Sequence, residues 1–589
     1  MHLSFPSRTE TSGPTLVALA LGLALSAMPA SAREHLGPYN NLLLKNPHPD
    51  AAGKQYGRGL AAGDFDGDGT SDLVVSEAGG DRLRVLRGLA FAVGSNPLLQ
   101  FLSTTINMPV HSYTMASGDF DGDGRDEIAV SAMNASAGGQ AAAGKVMIIN
   151  RLGNGTYEVQ STIQAGDTYP GSPQASANLG NSLAAGDFDN DGFTDLAIGI
   201  RGQIVGAVAN AGAVMIVYGS VAGIQPDRAR IFNRNTDGLS FNPGSDDFYG
   251  WSLAAGDFDA DGNDDLAIGI RNGTCPNGTD RGGAVVVLQG SASGVSNANA
   301  RIWRPGVLGI GGNCATAGNF GASLATGEFG DRGFLETNYA DLAIGAPATD
   351  GDQGAVHVIH GSSTGLVSTG NRFIAPPSLP GVVSGNGRFG NVVKTGRLAH
   401  ACVNLDCDGD SLAVAAPFAT INGAANAGMV WIFDSGSDDQ GLLLTTPQPI
   451  LPLPPLKIAG PHENDQFGND MAIGDFNDDG RADLAIGAYL YDDGTASPAI
   501  GPDGDVYFGV LENSFGSNHL RGWMRHFDGS LTTTKLAGPF GWDDTSAIVP
   551  RSMVPLYTGP SSYLILTKYN NYGSGGGDGL NRLGVFDPN

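Results

Sequence analysis

The chain alternates short apolar runs with acidic turns, and this pattern predicts strands along most of its length. In the clearest repeat, residues 182–187 lead into an acidic loop and the apolar run Asp195–Ile200 leaves it. The β-branched run Ala213–Tyr218 and a more polar run at 230–233 follow, and residues 284–288 and 457–459 are their counterparts elsewhere. Runs this short, bounded by Gly and Asp, are typical of strands. Each repeat is therefore predicted to hold four short strands.

The acidic loops repeat one phrase, Gly-Asp-Phe-Asp-x-Asp-Gly-x-x-Asp-Leu. Its cleanest copies lie at 63–73, 186–196 and 256–266, with close variants at 118–128 and 474–484. Two degraded copies begin at Glu328 and Arg397, and successive copies are 55 to 78 residues apart. We number the loops 1 to 7 in chain order: 64–72, 119–127, 187–195, 257–265, 328–341, 397–411 and 475–483. Four strands at this period are typical of a β-propeller blade, because solenoid units are usually shorter than about 50 residues.

The number of blades depends on how the chain ends are interpreted. Seven units are evident, beginning near residues 57, 114, 180, 250, 321, 390 and 468. A degenerate eighth begins near 536, where Leu-Ala-Gly-Pro repeats the Ile-Ala-Gly-Pro of 458–461, and it continues through strands at 563–568 and Arg582–Phe586. A lone strand at 41–46 could supply its outer strand and hide the sheet edges at the closure. We predict an all-β propeller of eight four-stranded blades, with seven blades plus a C-terminal cap as the alternative.

Composition supports a folded, secreted, acidic protein. The 589 residues include 90 Gly, 41% are hydrophobic, 15% are charged, and the net charge is −27. A surface this acidic argues against nucleic acid or an anionic membrane as partner. Arg8, the apolar run 16–27 and Ala30-Ser31-Ala32 predict a signal peptide at 1–32, with an N-terminal membrane anchor as the alternative. We expect a mature domain at 33–589 without a membrane span, exported to the periplasm or the extracellular space as a monomer.

Four cysteines, Cys275, Cys314, Cys402 and Cys407, suit two disulfides in an exported chain. Three pairings are possible. Cys402 and Cys407 are close enough in sequence to staple one loop, which would leave Cys275 and Cys314 to join two neighbouring loops.

The acidic loops are predicted to bind Ca²⁺. Acids at alternate positions of so short a loop repel one another unless a cation lies among them. Hard oxygen ligands at this spacing suit Ca²⁺, which accepts six to eight oxygens in a flexible cage. We expect the ions to serve as structural clips.

The repeats resemble the FG-GAP repeats of the integrin α-subunit propeller and its bacterial relatives. The Phe-Gly element stands at Phe320-Gly321, Phe389-Gly390 and Phe467-Gly468, with Tyr249-Gly250 as a near match. The Gly-Ala-Pro element stands at 345–347. Altered copies, Ala-Ala-Pro and Gly-Ala-Tyr, stand at 415–417 and 487–489. The resemblance extends from about residue 55 to the end of the chain.

The resemblance implies about five Ca²⁺ sites. In the family, loop positions 1, 3, 5 and 9 supply side chains and position 7 supplies a backbone carbonyl. Loop 5 carries an insertion before Asp341, and in loop 6 Arg397 replaces the first acid ahead of Asp406, Asp408 and Asp410, so binding there is doubtful. The implied ligands are Asp64, Asp66, Asp68 and Asp72; Asp119, Asp121, Asp123 and Glu127; Asp187, Asp189, Asp191 and Asp195; Asp257, Asp259, Asp261 and Asp265; and Asp475, Asn477, Asp479 and Asp483.

The resemblance implies an adhesion or recognition scaffold without catalysis. Long polar loops at 204–212, 271–283, 348–353 and 419–428 suit a glycan or protein ligand. The alternative is an extracellular enzyme built on the propeller, a polysaccharide lyase or a phospholipase-like hydrolase. The chain has no Gly-x-Ser-x-Gly, His-Glu-x-x-His or phosphate-loop motif, and His357 and His360 are interpreted as ordinary strand residues.

Overall fold

The architecture is taken from a computed structural model of the chain. It describes residues 41–45, 56–77, 82–88, 103–108, 114–166, 169–239, 242–275, 280–314, 318–329, 339–376, 386–398, 409–421, 423–433, 448–450, 463–476, 482–488, 505–509, 552–559, 562–569 and 582–586. The predicted signal peptide, the strand at 457–459 and the start of the degenerate unit near 536 lie outside the described residues.

Six four-stranded antiparallel blades are each built from four consecutive strands. A helical segment of four residues, α1 (Thr349–Asp352), lies between the second and third strands of the fifth blade. In order, the blades are β2 (Tyr56–Gly63), β3 (Asp72–Glu77), β4 (Arg82–Leu86) and β5 (Ser103–Asn107); β6 (Met115–Gly118), β7 (Glu127–Ser131), β8 (Val146–Arg151) and β9 (Tyr157–Ile163); β10 (Leu179–Gly186), β11 (Asp195–Ile200), β12 (Ala213–Tyr218) and β13 (Gln225–Phe232); β14 (Tyr249–Gly256), β15 (Asp265–Ile270), β16 (Ala284–Gln289) and β17 (Ser296–Trp303); β18 (Ser323–Gly327), β19 (Asp341–Ala346), β20 (Ala355–His360) and β21 (Val367–Ile374); and β22 (Val392–Gly396), β23 (Ser411–Ala416), β24 (Met429–Phe433) and β25 (Gln448–Ile450).

A composite sheet closes the ring. It joins β26 (Met471–Gly474), β27 (Asp483–Ala488) and β28 (Asp505–Gly509) to the N-terminal strand β1 (Asn41–Lys45), in the order β1-β28-β27-β26. Strand β1 runs antiparallel to β28, with its first residue opposite the last residue of β28. The innermost strands contact one another in chain order, and β26 packs against β2. The two ends of the repeat array therefore meet within this sheet.

The prediction of eight blades is wrong. The ring closes from β26 directly onto β2, so it has no gap for a further unit. Strand β1, which the sequence assigned to the degenerate unit near 536, pairs instead with the unit that begins near 468. The C-terminal strands β29 (Ser552–Gly559), β30 (Ser562–Tyr569) and β31 (Arg582–Phe586) form a three-stranded sheet of their own. The all-β propeller of four-stranded blades is confirmed.

The core lies between the faces of adjacent blades. Every residue of β11, β12 and β15 is buried, because each of these strands is covered on both sides. The outer strands are half-exposed, as in β9. This burial explains why the second and third runs of each repeat are continuously apolar while the fourth is polar.

The innermost strands are rich in small residues because adjacent blades approach closely at the axis. A Cβ atom added to Gly256 at the end of β14 would lie 3.0 Å from the Thr326 Cβ of the next blade. A Cβ added to Gly186 would lie 2.7 Å from the Ala255 Cβ. A Cβ less than 3.0 Å from a neighbour is not tolerated, so Gly186 has no room for a side chain. At Gly256 the neighbour would have to move by a few tenths of an ångström, so the close packing favours glycine at both positions.

The Phe-Gly element forms a joint between blades. At the start of β14, Tyr249 bridges to Gly212 of the preceding blade, and Gly250 adopts φ +82°. The Ser182 hydroxyl of that preceding blade donates to the Gly250 carbonyl at 2.8 Å. The same bridge links Phe320, Phe389 and Phe467 to the glycine that precedes the third strand of the blade before. A residue with a side chain is strained at this positive φ, which explains the glycine.

A disulfide joins Cys275 to Cys314. It connects the loop after β15 to the segment that leads into β18, so it links two neighbouring blades. This pairing is one of the three that the sequence allowed. Cys402 and Cys407 lie outside the described residues.

We predict that Asp470→Ala weakens ring closure. One Asp470 carboxylate oxygen accepts a hydrogen bond from the Leu60 amide of the first blade at 2.9 Å, and the other accepts from Met471. Without the carboxylate, the partly buried Leu60 amide loses this partner, so the free energy of unfolding should fall by about 1–3 kcal/mol. Urea denaturation followed by tryptophan fluorescence measures the change. Asp227→Ala, at an exposed position of β13, is the matched control. Equal stabilities of the two variants would contradict the prediction.

Candidate metal centres in the acidic loops

The acidic loops connect the first and second strands of each blade, so they lie together on one face of the ring, which we call the lower face. The first acid shapes each loop. The Asp64 carboxylate accepts hydrogen bonds from the amides of Gly67 at 2.8 Å, Asp68 at 3.1 Å and Gly69 at 2.8 Å. Gly67 and Gly69 have φ values of +74° and +89°. Corresponding bonds are made by Asp119, Asp187 and Asp257.

The last acid fixes the loop to the body of the blade. In loop 3 the buried Asp195 accepts from the Phe188 amide at 3.0 Å and from the Gly219 amide, after β12, at 2.9 Å. The bond to the phenylalanine amide recurs at Glu127, Asp265, Asp341 and Asp483. The bond to the glycine amide recurs at Asp72, Asp265 and Asp341. This acid therefore has a structural role whether or not it contacts an ion.

Four loops bring three acids each to a common point. In every group, one oxygen from each acid lies within 4.8 Å of the others. The groups are Asp64, Asp66 and Asp72; Asp119, Asp121 and Glu127; Asp187, Asp189 and Asp195; and Asp257, Asp259 and Asp261. The remaining predicted ligands of these loops, Asp68, Asp123, Asp191 and Asp265, lie outside the groups. In loop 7, Asp475 and Asp483 are described, while Asn477 and Asp479 lie outside the described residues.

Electrostatic strain accumulates where these acids meet. Burial, together with the charge of Asp121, raises the pKa of Glu127 to about 8. Burial followed by repulsion from Asp189 raises the pKa of Asp195 to about 8, against the favourable bond from the Gly219 amide. Burial likewise raises the pKa values of Asp72 and Asp265 to about 7. A cation among the carboxylates would reverse this repulsion.

The loops fit a hard cation because they contain buried oxygens without partners. Asp66 Oδ1, Glu127 Oε1, Asp189 Oδ1 and Asp259 Oδ1 are buried and accept no hydrogen bond. A buried polar atom without a partner is unfavourable, and a carboxylate oxygen with free lone pairs among other carboxylates is a suitable ligand for a divalent ion. One such atom occurs in each of loops 1 to 4.

Side chains from other strands also contact the loops, and sequence reasoning missed them. Arg87, after β4, lies 2.7 Å from Asp68 and also pairs with Asp66. Arg228 of β13 pairs with Asp189 and lies 3.6 Å from Asp191. Loops 2 and 4 have amide neighbours instead, with Asn150 Nδ2 3.3 Å from Asp121 and Gln289 Nε2 3.1 Å from Asp259. These partners are 19 to 39 residues from the acids, so no local motif marks them.

A ring of backbone hydrogen bonds links the loops. In each loop, the backbone amide of the next-to-last residue donates a hydrogen bond. The acceptor is the carbonyl oxygen of the first loop residue in the preceding blade. The pairs are Ser71 to Asp475, Asp126 to Asp64, Thr194 to Asp119, Asp264 to Asp187, Ala340 to Asp257, Asp410 to Glu328 and Ala482 to Arg397. Loops 5 and 6 keep this link although their acid pattern is degraded. Residues 330–338 and 399–408 of these loops lie outside the described residues.

The two histidines singled out in the sequence lie in a strand, as expected. His357 of β20 is buried and makes edge contacts with Phe320 and Phe373 at centroid distances of 5.1 and 4.9 Å. Burial lowers the pKa of His357 to about 4, so its ring is neutral at pH 7. His360 Nδ1 lies 3.1 Å from Asp341.

None of the helices in the described part of the chain has the length and apolar character needed to span a membrane.

Comparison with known families agrees with this geometry. The FG-GAP repeat model matches residues 112–149, 179–217, 249–288 and 467–508, and the FG-GAP-like repeat model matches 64–130. The matched segments include loops 1 to 4 and loop 7. The degraded loops 5 and 6 lie outside the matches.

Curated relatives include integrin α subunits and a phospholipase. The chain is 30% identical to integrin alpha-PS2 of Drosophila melanogaster over 44% of its own length and 16% of the relative. It is 25% identical to phosphatidylinositol-glycan-specific phospholipase D of Homo sapiens over 67% of its own length and 45% of the relative. It is 32% identical to the same phospholipase of Rattus norvegicus over 28% of its own length and 19% of the relative. The chain thus spans less than half the length of these relatives. From the repeats and the ring of blades, the chain is an FG-GAP-repeat protein that forms an integrin-α-like β-propeller.

Proposed function

We propose that the protein is an exported recognition scaffold whose lower face is held by Ca²⁺ and whose opposite face binds a glycan or a protein. The observation that carries the proposal is that each of loops 1 to 4 brings three acids together and buries one carboxylate oxygen that accepts no hydrogen bond. The same loops are bonded to the adjacent blades. A rigid ring with variable loops at one end is a common arrangement for binding.

Calcium is the cation that this donor set favours. In loops 1 to 4 the converging ligands are hard carboxylate oxygens, and these loops contain no cysteine or histidine. In loops 1 to 4 and loop 7, the side chains at positions 1, 3, 5 and 9 would hold the ion; all are acids except Asn477 of loop 7. Carboxylates that now bond to backbone amides can also take part, because each carboxylate oxygen has two lone pairs. Bound Ca²⁺ supplies positive charge that neutralises mutual repulsion among the acids.

Export is supported by the Cys275–Cys314 disulfide, because disulfides persist in oxidising compartments. Such compartments outside the cytosol can supply Ca²⁺ at the concentrations that weak loop sites need. The integrin relatives favour adhesion or recognition as the role of this propeller. The phospholipase relatives favour the alternative, hydrolysis of a phospholipid, because one of them aligns with two thirds of the chain.

Removal of Ca²⁺ should destabilise the ring. Each filled site contributes on the order of 1 kcal/mol at a Ca²⁺ concentration several times its Kd, so EDTA should lower Tm by several degrees. Differential scanning calorimetry of the full chain with Ca²⁺, with EDTA and with EDTA followed by excess Ca²⁺ measures this. Asp259→Ala should reduce the shift, whereas the exposed Asp227→Ala should not. A Tm that is the same with and without EDTA would contradict Ca²⁺ binding.

Arg228 should compete with the cation in loop 3. Its guanidinium now neutralises Asp189 and Asp191, and it stacks on Tyr218 with its Cζ 4.4 Å from the ring centroid. Arg228→Gln should therefore tighten binding of one Ca²⁺ equivalent by roughly three- to tenfold, as expected for a half-exposed ion pair. Arg230→Gln is the matched control, because Arg230 lies on the same strand and bonds only to backbone carbonyls. Superimposable calorimetric titrations of the two variants would refute the competition.

The recognition role is tested with glycan and matrix-protein arrays probed in Ca²⁺ and in chelator. Selective binding by the full chain is the expected result, and its absence from both arrays and both conditions would overturn the role. Turnover of phospholipids and polysaccharides, measured on the same preparation, decides the enzymatic alternative. Hydrolysis above a heat-denatured control would replace the scaffold proposal with that alternative.

A further inference from the structure

The face opposite the acidic loops carries a basic and aromatic cluster. We call this face the upper face, and it holds the ends of the second strands and the starts of the innermost strands. Trp251 is the third residue of β14, and Arg201 and Arg271 directly follow β11 and β15. The two arginines are therefore equivalent positions in adjacent blades. All three side chains are half-buried, so part of each remains open to solvent.

The cluster is held in place by its neighbours. The Arg271 Cζ lies 4.2 Å from the Trp251 ring centroid, and the Arg201 Cζ lies 5.2 Å from it. Asn181 fixes the backbone on both sides, because its Oδ1 accepts from the Arg201 amide at 2.8 Å and its Nδ2 donates to the Trp251 carbonyl at 3.1 Å. Phe248 packs at 5.8 Å from the indole. Two guanidinium groups are thus positioned by one aromatic ring.

These arginines have no acidic partner in the described part of the chain. Neither Arg201 nor Arg271 forms an ion pair there. The guanidinium group of each contacts the Trp251 indole, and the backbone amide of Arg201 bonds to Asn181. Burial lowers the pKa of both arginines, and repulsion from Arg388 and Arg201 adds to the effect at Arg271. Arg388, the third cation nearby, has its own partner in Asp352 at 3.6 Å. The chain carries 59 acidic residues against 32 basic ones, so these two arginines lack a carboxylate partner in a chain that is otherwise rich in acids.

We propose that Arg201, Arg271 and Trp251 bind the carboxylate of a uronic-acid sugar. This inference rests on the proposed recognition role of the upper face. Guanidinium groups bind carboxylates with paired, charge-assisted hydrogen bonds, and partial burial strengthens those bonds. A sugar ring also offers hydroxyl groups, which can bond to the amides around the cluster.

The surroundings favour a saccharide over a peptide. The large exposed apolar residues of the described chain are scattered, namely Val159, Ile204, Val221, Leu308 and Phe373. They form no described groove for the apolar side chains of a peptide. The net charge of −27 also repels long polyanions, so an isolated uronic acid in an otherwise neutral saccharide fits better than a dense polyanion.

The test compares two sugars that differ only at the carboxylate. Titration calorimetry or ligand-observed NMR measures binding of the full chain to a methyl glucuronide and to the matching methyl glucoside in Ca²⁺. We expect the wild type to prefer the glucuronide by at least about tenfold, and Arg271→Gln or Arg201→Gln to abolish the preference. Arg230→Gln, on an outer strand, should keep it. A peptide with a free C-terminal carboxylate, compared with its amidated form, serves as the second arm.

Each outcome bears on the proposal. Equal binding of the two sugars by the wild type, or an unchanged preference in both arginine variants, overturns it. Preference for the free peptide carboxylate without preference for the glucuronide overturns the saccharide assignment. Circular dichroism and the Ca²⁺-dependent Tm of each variant confirm that the ring is intact. If the arrays show a ligand whose binding is indifferent to Arg201 and Arg271, recognition stands and this site fails. If the arrays stay blank, the recognition role itself fails.

Discussion

The ring depends on the backbone hydrogen bond that ties each acidic loop to the loop of the preceding blade. In one such bond the Asp126 amide reaches the Asp64 carbonyl, and in the closing bond the Ser71 amide reaches the Asp475 carbonyl. Both partners are main-chain groups whose positions follow from the conformation of their loops, so a loop that keeps its fold also keeps its bond to the neighbouring blade. Whatever holds a loop therefore also holds the ring.

Loops 5 and 6 show that the link and the acid cluster are separable. Glu328 and Arg397 stand at the first position and still accept the bond from the next blade, through Asp410 and Ala482. In loop 6, the Asp410 carboxylate adds a second bond by accepting from the Glu328 amide at 3.0 Å, as Asp126 and Asp264 do from the amides of Asp64 and Asp187. This side-chain bond across the blades therefore occurs in loops with the acid cluster and in a loop without it. The repeat can lose its acids and keep its place in the ring.

Strands and acidic loops could be predicted from the sequence because they repeat and depend on nearby residues. Contacts between residues far apart in the chain could not. Strands such as Ala213–Tyr218 were found at their observed bounds, because both their faces are buried and every residue is apolar. The eight-blade count was wrong because β1 has the same backbone groups to offer any open edge, and only the closed ring selects β28. The backbone links leave only a partial signal, since the donors include Asp126, Asp264 and Asp410 but also Ser71, Thr194 and Ala340. The neighbours Arg87 and Arg228 were missed because they come from strands outside the motif.

The acidic loops and the cluster of Arg201, Trp251 and Arg271 lie on opposite faces of the ring, and the innermost strands connect them. Strand β14 carries Trp251 near its start and leads directly into Asp257 of loop 4. Trp251 and Asp257 are six residues apart, which is about 20 Å along a strand. That is more than two Debye lengths at physiological ionic strength, so the charge of an ion in loop 4 acts only weakly on a solvent-exposed carboxylate beside Trp251. A larger effect of Ca²⁺ on binding at the upper face would have to pass through the spacing of the strands. We therefore infer that the acidic loops act on recognition by fixing the distance between Arg201 and Arg271, which belong to adjacent blades.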